Sequence, residues 1–349
     1  MTVPSWRTRL ACALAIGALF AFYADWFWDH PRPKPSDFTQ PRVAARIFLQ
    51  GGNPFDQIGP GRPFEHEFPL IYPATSAVVA MPFAWAPPRL ADALFIGLGA
   101  ALLAWALTRK TLANPQLLVF ASFAMMVAAQ TVQWSPLLTA AALIPSLGFL
   151  FACKPSIGLA MLAAYPSRAA FLGAGAFALL TVAIWPWWVP AWLSSLPAAT
   201  HMSAPVMRLG GPFILLSLLK WKRQDARLLA ALACVPQTPV LYEVVPLFLL
   251  VNTFREGTLL VVLTALAGRI VAVAAAGTDY HSWMAISGQW MVWLVYLPCT
   301  AMVLRRPHQD LTFEWRSIWP VKWTPNLASR AFVVRGPSST TAAHAPDRA

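Results

Sequence analysis

Apolar runs recur along this chain with only short polar links between them, near 10–28, 90–108, 113–132, 136–153, 155–167, 169–186, 211–219, 227–238, 240–254, 257–275 and 284–304. A helix of about 20 apolar residues crosses the ~30 Å hydrocarbon core of a bilayer. Lipid offers backbone groups no partners, so such runs must satisfy their own hydrogen bonds as helices. The chain is 58% hydrophobic and only 11% charged, which leaves no stretch for a soluble catalytic domain. The expected fold is an all-α polytopic membrane protein. It forms one transmembrane domain over residues 1–306, with about ten to twelve spans. The polar tail 307–349 ends in "GPSSTTAAHAPDRA" and reads as cytoplasmic and disordered.

Arg7 and Arg9 precede the first apolar run, and Tyr23, Trp26 and Trp28 close it like an interfacial aromatic belt. No Ala-x-Ala site follows, so it reads as a retained helix with a cytoplasmic N-terminus. Arg109, Lys110, Arg168, the cluster Lys220, Lys222, Arg223 and Arg227, then Arg255, Arg305 and Arg306 mark the other cytoplasmic links. Both termini are then cytoplasmic, in a bacterial-type inner or plasma membrane. The links 29–70 and 187–210, with the turns "PQTPVLYE" and "GTDYHS", fall outside. Segment 69–88 is apolar but carries Pro69, Pro73, Pro82, Pro87 and Pro88, which oppose a regular helix interior. It is expected as a shallow or re-entrant helix, and 136–153 as a short broken hairpin around "IPSLG". The net charge of +12 follows from these flanks and implies no nucleic acid. Cys12, Cys153, Cys234 and Cys299 are expected as buried bystanders. Neither they nor the six scattered histidines have metal-ligand spacing, and no metal or cofactor is expected.

Against this apolar background, six of the 14 acidic residues (Asp25, Asp29, Asp37, Asp56, Glu65 and Glu67) lie between residues 25 and 67. The stretch "TQPRVAARIFLQGG" reads as a short helix, with Pro41 in its first turn and Gly51–Gly52 at its end. Arg42 and Arg46 share one face. Such a helix can lie at the membrane surface with its arginines toward lipid phosphates or a phosphorylated ligand. Asp37, just before it, is either a helix-start cap or a carboxylate with work of its own.

The order of several short motifs resembles the polyprenyl-phosphate-sugar-dependent glycosyltransferases of the GT-C fold. Among them it resembles glycosyltransferase family 87, the mannosyltransferase-like group. An acid soon after the first helix is followed by "LQGGNPF", "LIYP" and "AMPF". Then come "AQTVQWSPLL" (129–138), "FLFACKPSIGLAML" (149–162), "PWWVPAWLSSL" (186–196) and "VPQTPVLYEVVPLFLL" (235–250). Trp134 stands where the family's Gly-Gln-x-Asn segment carries Asn. The resemblance implies a GT-C-like bundle with a short extracytoplasmic juxtamembrane helix. The function implied is transfer of a mannose-like hexose from a polyprenyl-phosphate donor to an extracytoplasmic glycolipid or glycan. The reaction would invert the anomeric centre, and Asp37 would be its general base.

That chemistry needs one carboxylate to deprotonate the acceptor hydroxyl and cations to neutralise the departing phosphate. Arg42, Arg46, Lys154, Arg208 and Arg269 are the candidate phosphate ligands. Lys154 reads equally as an interface anchor, Arg208 as a solvated loop residue and Arg269 as a snorkelling side chain. Tyr72, Gln133, Glu243 and His281 are candidates for binding sugar or acceptor, with His201 beside them. Glu243 alternatively packs beside Tyr242. Trp187, Trp188 and Trp192 stack on a sugar or belong to an aromatic belt. Two other functions fit the spans: a transporter or flippase of a lipid-linked saccharide, and a surface polysaccharide polymerase or ligase. The first lacks a visible repeat between halves, and the second lacks a large late outer loop.

Overall fold

The computed structural model describes residues 3–29, 36–198, 202–237 and 241–308. The expected tail lies almost wholly outside these residues. Most of the described chain is helical; the one strand pair among the described residues is a parallel bridge of Ile58–Gly59 with Phe64–Glu65.

The first helix, α1 (Trp6–Trp28), starts on Ser5, whose hydroxyl accepts from the Thr8 N–H at 3.1 Å. The chain then makes a long excursion through α2 (Thr39–Leu49), α3 (Pro54–Gln57) and α4 (Ala74–Ala80). It returns as α5 (Pro88–Leu107), which packs along α1. The pair fits because both faces are small. A Cβ on Gly17 would sit 2.9 Å from the Gly97 carbonyl oxygen, and one on Gly97 would sit 2.9 Å from that of Gly17. The helices are antiparallel. Arg9 reaches the Trp105 carbonyl at 2.9 Å and covers its ring, while Arg89 at the other end pairs with Asp25 and Asp29. Residues 69–88 therefore do not cross with them. Their helical part, Ala74–Phe83, is only 10 residues, about 15 Å at the α-helical rise. This agrees with the proline argument, and it returns Arg109 and Lys110 to the end of the bundle that holds Arg9.

Four described helices are individually long and apolar enough to cross a bilayer: α1, α5, α12 (Phe254–Ala274) and the continuous stretch Tyr280–Leu304. A fifth is reached if α9 (Arg168–Ile184) and the segment 188–198, bent by 107°, count as one. The other apolar runs are broken into short pieces. They are the 3₁₀ stretches 115–121, 145–153, 211–220 and 241–250, and the helices α6 (Phe123–Gln130), α7 (Ser135–Leu143), α8 (Pro155–Ala164), α10 (Trp188–Ser195) and α11 (Gln224–Cys234). Prolines 115, 136, 145, 155 and 212 stand in the first turns of these pieces. The expected break at "IPSLG" is present, where α7 ends at Ile144. A second break falls at Lys154, between the 3₁₀ stretch 145–153 and α8. There a Cβ on Gly158 would lie 2.1 Å from the Phe151 carbonyl oxygen. Tyr280–Leu304 comprises α13 (Tyr280–Met291), a π turn at Val292–Tyr296 and α14 (Leu297–Leu304).

The charges sort to one end. Arg306 bridges Glu256, at 2.8 Å, and Asp225, while Arg223 grips Asp225 and the Pro307 carbonyl. These contacts gather the starts of α11 and α12 and the end of α14. Exposed leucines such as Leu14 on α1, Leu98 on α5, Leu179 on α9 and Leu266 on α12 line the outer faces, as contact with lipid requires. Of the cysteines, Cys153 and Cys299 are buried as expected. Cys12 is half-buried and Cys234 is exposed, because each sits on an outward helix face rather than in the core.

Candidate active site

At the opposite end from that charge cluster, the chain folds several of the sequence candidates around Asp37. The residue heading α2 is Phe38, whose side chain makes no capping hydrogen bond. Phe38 instead stacks on Phe95 with ring centroids 3.9 Å apart, and both pack against buried Trp134. That anchor leaves the preceding Asp37 half-buried beside the turn between α6 and α7. Its N–H donates to the Thr131 carbonyl at 3.0 Å, and its carboxylate accepts from Gln133 Nε2. These contacts of Asp37 run to the turn between α6 and α7 rather than to the first turn of α2, where the alternative reading as a cap would put them. Ser36 makes the local tie, to Thr39 and to buried Asp92.

The turn that presents Gln133 is strained. Val132 has φ +52°, the one non-glycine residue with positive φ among the described residues. A β-branched side chain rarely adopts that conformation, which persists only where the surroundings impose it. Here the neighbours do so. Trp134 is fully buried against Phe95, Phe38 and Tyr72, and the Gln133 N–H is tied to the Ala128 carbonyl at 2.9 Å.

Tyr72 stands close enough to both Asp37 and Glu243 to be acted on by their charges. It is held by the outer segment 187–198. Trp192 Nε1 donates to the Ile71 carbonyl at 2.8 Å, and Ser195 Oγ donates to that of Leu70 at 2.7 Å. Trp192 is therefore a clamp on the "LIYP" stretch. Trp187 packs against Phe48, and Trp188 is buried next to Trp192. Just beyond Tyr72, Thr75 Oγ1 donates to the Ala152 carbonyl at 2.7 Å, which sets α4 against the Lys154 bend. Lys154 Nζ there donates to Glu243 Oε1 at 2.7 Å. Glu243 is 1% exposed, and its other oxygen has no partner. A buried pair of this kind is held by mutual attraction against a large desolvation penalty.

The remaining cations lie elsewhere. Arg42, 4% exposed, donates to the Ala86 carbonyl at 3.3 Å. Arg46 donates through Nε and Nη2 to the Ala84 carbonyl and lies over the Trp85 ring. The expectation of α2 as a surface helix with its arginines toward lipid is corrected by this burial. Pro82, Pro87 and Pro88 break the helix that follows α4, and both arginines satisfy the carbonyls freed there. Arg208 ties its loop to α13, donating to the Ala285 carbonyl at 2.8 Å and to Ser203 Oγ at 2.7 Å. Arg269 is exposed on the outer face of α12, and His281 is exposed at the start of α13. His201 lies outside the described residues, as does the Tyr242 side chain.

One neighbour was not singled out from the sequence. Tyr280, beside His281, comes within reach of the charges of Asp37 and Glu67, and its ring lies 5.5 Å from that of Phe68. Asp279 sets its position by capping α13, accepting from the N–H groups of His281 and Ser282. Those bonds, led by one from the Ser282 hydroxyl, hold the Asp279 carboxyl below its ordinary range. The "GTDYHS" turn was the available signal, an Asp cap followed by an aromatic. Among the described residues no three His, Cys, Asp or Glu side chains gather as metal ligands would.

The fold and its apolar faces define the class: a helical, multi-pass membrane protein. Comparison with protein-family models, with curated proteins and with solved structures gave no significant match to the chain.

Proposed function

We propose that the protein is an integral-membrane glycosyltransferase of the GT-C type, in which Asp37 deprotonates an acceptor hydroxyl that attacks a polyprenyl-phosphate hexose. One observation carries this reading. A half-buried carboxylate is oriented by an amide from a strained turn, and a tyrosine and a buried Lys–Glu pair are gathered beside it. Strain and buried ionisable groups at membrane depth concentrate where a protein does chemistry or binding. The Gln133 amide holds the Asp37 carboxylate in place for a base that must meet the acceptor hydroxyl. The donor already has a phosphate leaving group, so proton removal and alignment are what remain for the protein to supply. One displacement by the acceptor oxygen breaks the anomeric C–O bond, releases polyprenyl phosphate and inverts the centre.

The Asp37 end lies opposite the end that holds Arg9, Arg223, Arg255 and Arg306. By the bias of basic residues toward the cytoplasm, the site faces the extracytoplasmic side, with the mannose-like sugar and a glycolipid or glycan acceptor meeting there. The expected ten to twelve spans belong to this GT-C reading, the short α and 3₁₀ pieces combining into further crossings. The test is transfer by the purified protein in vesicles. Radiolabelled polyprenyl-phosphate sugars are supplied with a panel of glycolipid and glycan acceptors. Label should move to one class of acceptor; no transfer from any donor would rule the reading out.

A further inference from the structure

Glu243 and Gln133 are each 1% exposed, and each keeps one side-chain oxygen without a partner, Oε2 and Oε1 respectively. In both groups the other end is already engaged. Lys154 donates to Glu243 Oε1 at 2.7 Å, and Gln133 Nε2 donates to the Asp37 carboxylate. The latter bond fixes the amide's orientation, since an ionised carboxylate only accepts. Both orphaned atoms are therefore acceptors. They lie in one neighbourhood: the Trp134 ring, next to Gln133, is 6.4 Å from that of Tyr72, and just beyond Tyr72 the Thr75 hydroxyl bonds the Ala152 carbonyl at the bend that carries Lys154 and its partner Glu243. Buried acceptors left unpaired are costly, and their complement is a ligand rich in O–H donors. A phosphate has the opposite character: it brings acceptor oxygens and negative charge toward two carboxylates and two lone pairs.

We propose that Glu243 and Gln133 form a hydroxyl-binding socket for a sugar ring, and that Lys154 is a positioning residue for Glu243 rather than a ligand of the donor phosphate. Identifying the ring as that of the donor rests on the glycosyltransferase reading. Lys154 neutralises the buried carboxylate and engages Oε1, which leaves Oε2 as the acceptor. In Glu243→Gln the ammonium takes the amide oxygen, which leaves an NH₂ donor in the socket where an acceptor stood. A site built for a hydroxyl discriminates strongly once that match is lost.

The experiment measures binding of undecaprenyl phosphate, bare or carrying mannose, glucose or galactose, to the full chain in nanodiscs. Wild type should bind one sugar-bearing lipid more tightly than the bare lipid. Glu243→Gln should weaken that complex about 10-fold, as loss of a charged hydrogen bond does, and leave the bare lipid unchanged. The double variant Lys154→Met/Glu243→Gln removes both charges together, so no unpaired ion strains the fold, and it should behave alike. The socket is overturned if wild type prefers no sugar-bearing lipid or if the variants keep the preference. Weaker binding of the bare lipid by the double variant would return Lys154 to the phosphate and overturn the positioning role. Sugar preference without any transfer would sink the enzyme reading and leave the socket standing; transfer with preference intact in Glu243→Gln would do the reverse.

Discussion

Arg46 and Lys154 show at the residue scale how a rare charge in an apolar chain acquires its role. Both read in the sequence as candidate phosphate ligands. Arg46 is spent on the Ala84 carbonyl, which Pro87 and Pro88, having no N–H, leave without a helical partner. Arg46→Met should therefore destabilise the fold by roughly 1.5–3 kcal/mol, the scale of a charged hydrogen bond, and so lower the thermal midpoint, with donor affinity unchanged. Thermal unfolding in detergent and donor titration read the two effects separately, and lost donor affinity at unchanged stability would restore Arg46 to the phosphate. Lys154 was legible as an unusual cation at membrane depth, but its partner was not. Glu243 is 89 residues away, and no periodicity connects the two. Nor does a valine announce a positive φ, so the strained turn that aims Gln133 at Asp37 was invisible, although Gln133 itself was picked out. The core partners Phe38, Phe95 and Trp134 were hidden for a related reason: in a chain this apolar, an aromatic side chain facing lipid and one facing the core look alike.

At the scale of elements, the α1–α5 pair is the frame on which the site is hung. It sets the two ends of the loop that carries Asp37, and it closes because Gly17 and Gly97 let the backbones meet. Gly97→Val puts a branched side chain where a single Cβ already stands 2.9 Å from the Gly17 carbonyl. Folded yield should drop severalfold, read as the monodisperse fraction in size-exclusion chromatography. The matched change Ala106→Val, at a half-buried position near the end of α5, should be tolerated. Yields equal to wild type for both would show that the helices do not approach as closely as described. This pair was legible as two apolar runs but not as a contact. The short helix α2 was legible from Pro41 and Gly51, and the interruption of 69–88 from its prolines. The burial of α2 was not, because its amphipathic pattern suits a protein interior with carbonyl partners as well as it suits a membrane surface.

For the whole molecule, the basic residues carry the expectation of sidedness. Arg9, Arg223 and Arg306, three of the basic residues expected on the cytoplasmic side, lie at the end opposite Asp37. The number of crossings was less legible, because prolines cut long apolar runs into short pieces whose composition still looks continuous. Sidedness is tested with single cysteines in a background lacking the four native ones. Cysteine at Gln50 or Thr278 should react with an impermeant thiol reagent from outside intact cells. Cysteine at Ala113 or Asn252 should react only after permeabilisation, and labelling of Ala113 from outside would put Asp37 on the wrong face for an extracytoplasmic acceptor. The central claim is that the fold exists to present the Asp37 carboxylate. Asp37→Asn keeps an oxygen for the Gln133 amide and leaves Phe38 and the Thr131 contact in place, so abundance and thermal midpoint should match wild type. The measurement is the initial rate of sugar transfer by this variant in vesicles, with Asp56→Asn as the control. The predicted result is a fall of about 100-fold or more, the scale of a lost general base, with the control near wild type; transfer by Asp37→Asn at the wild-type rate would contradict it.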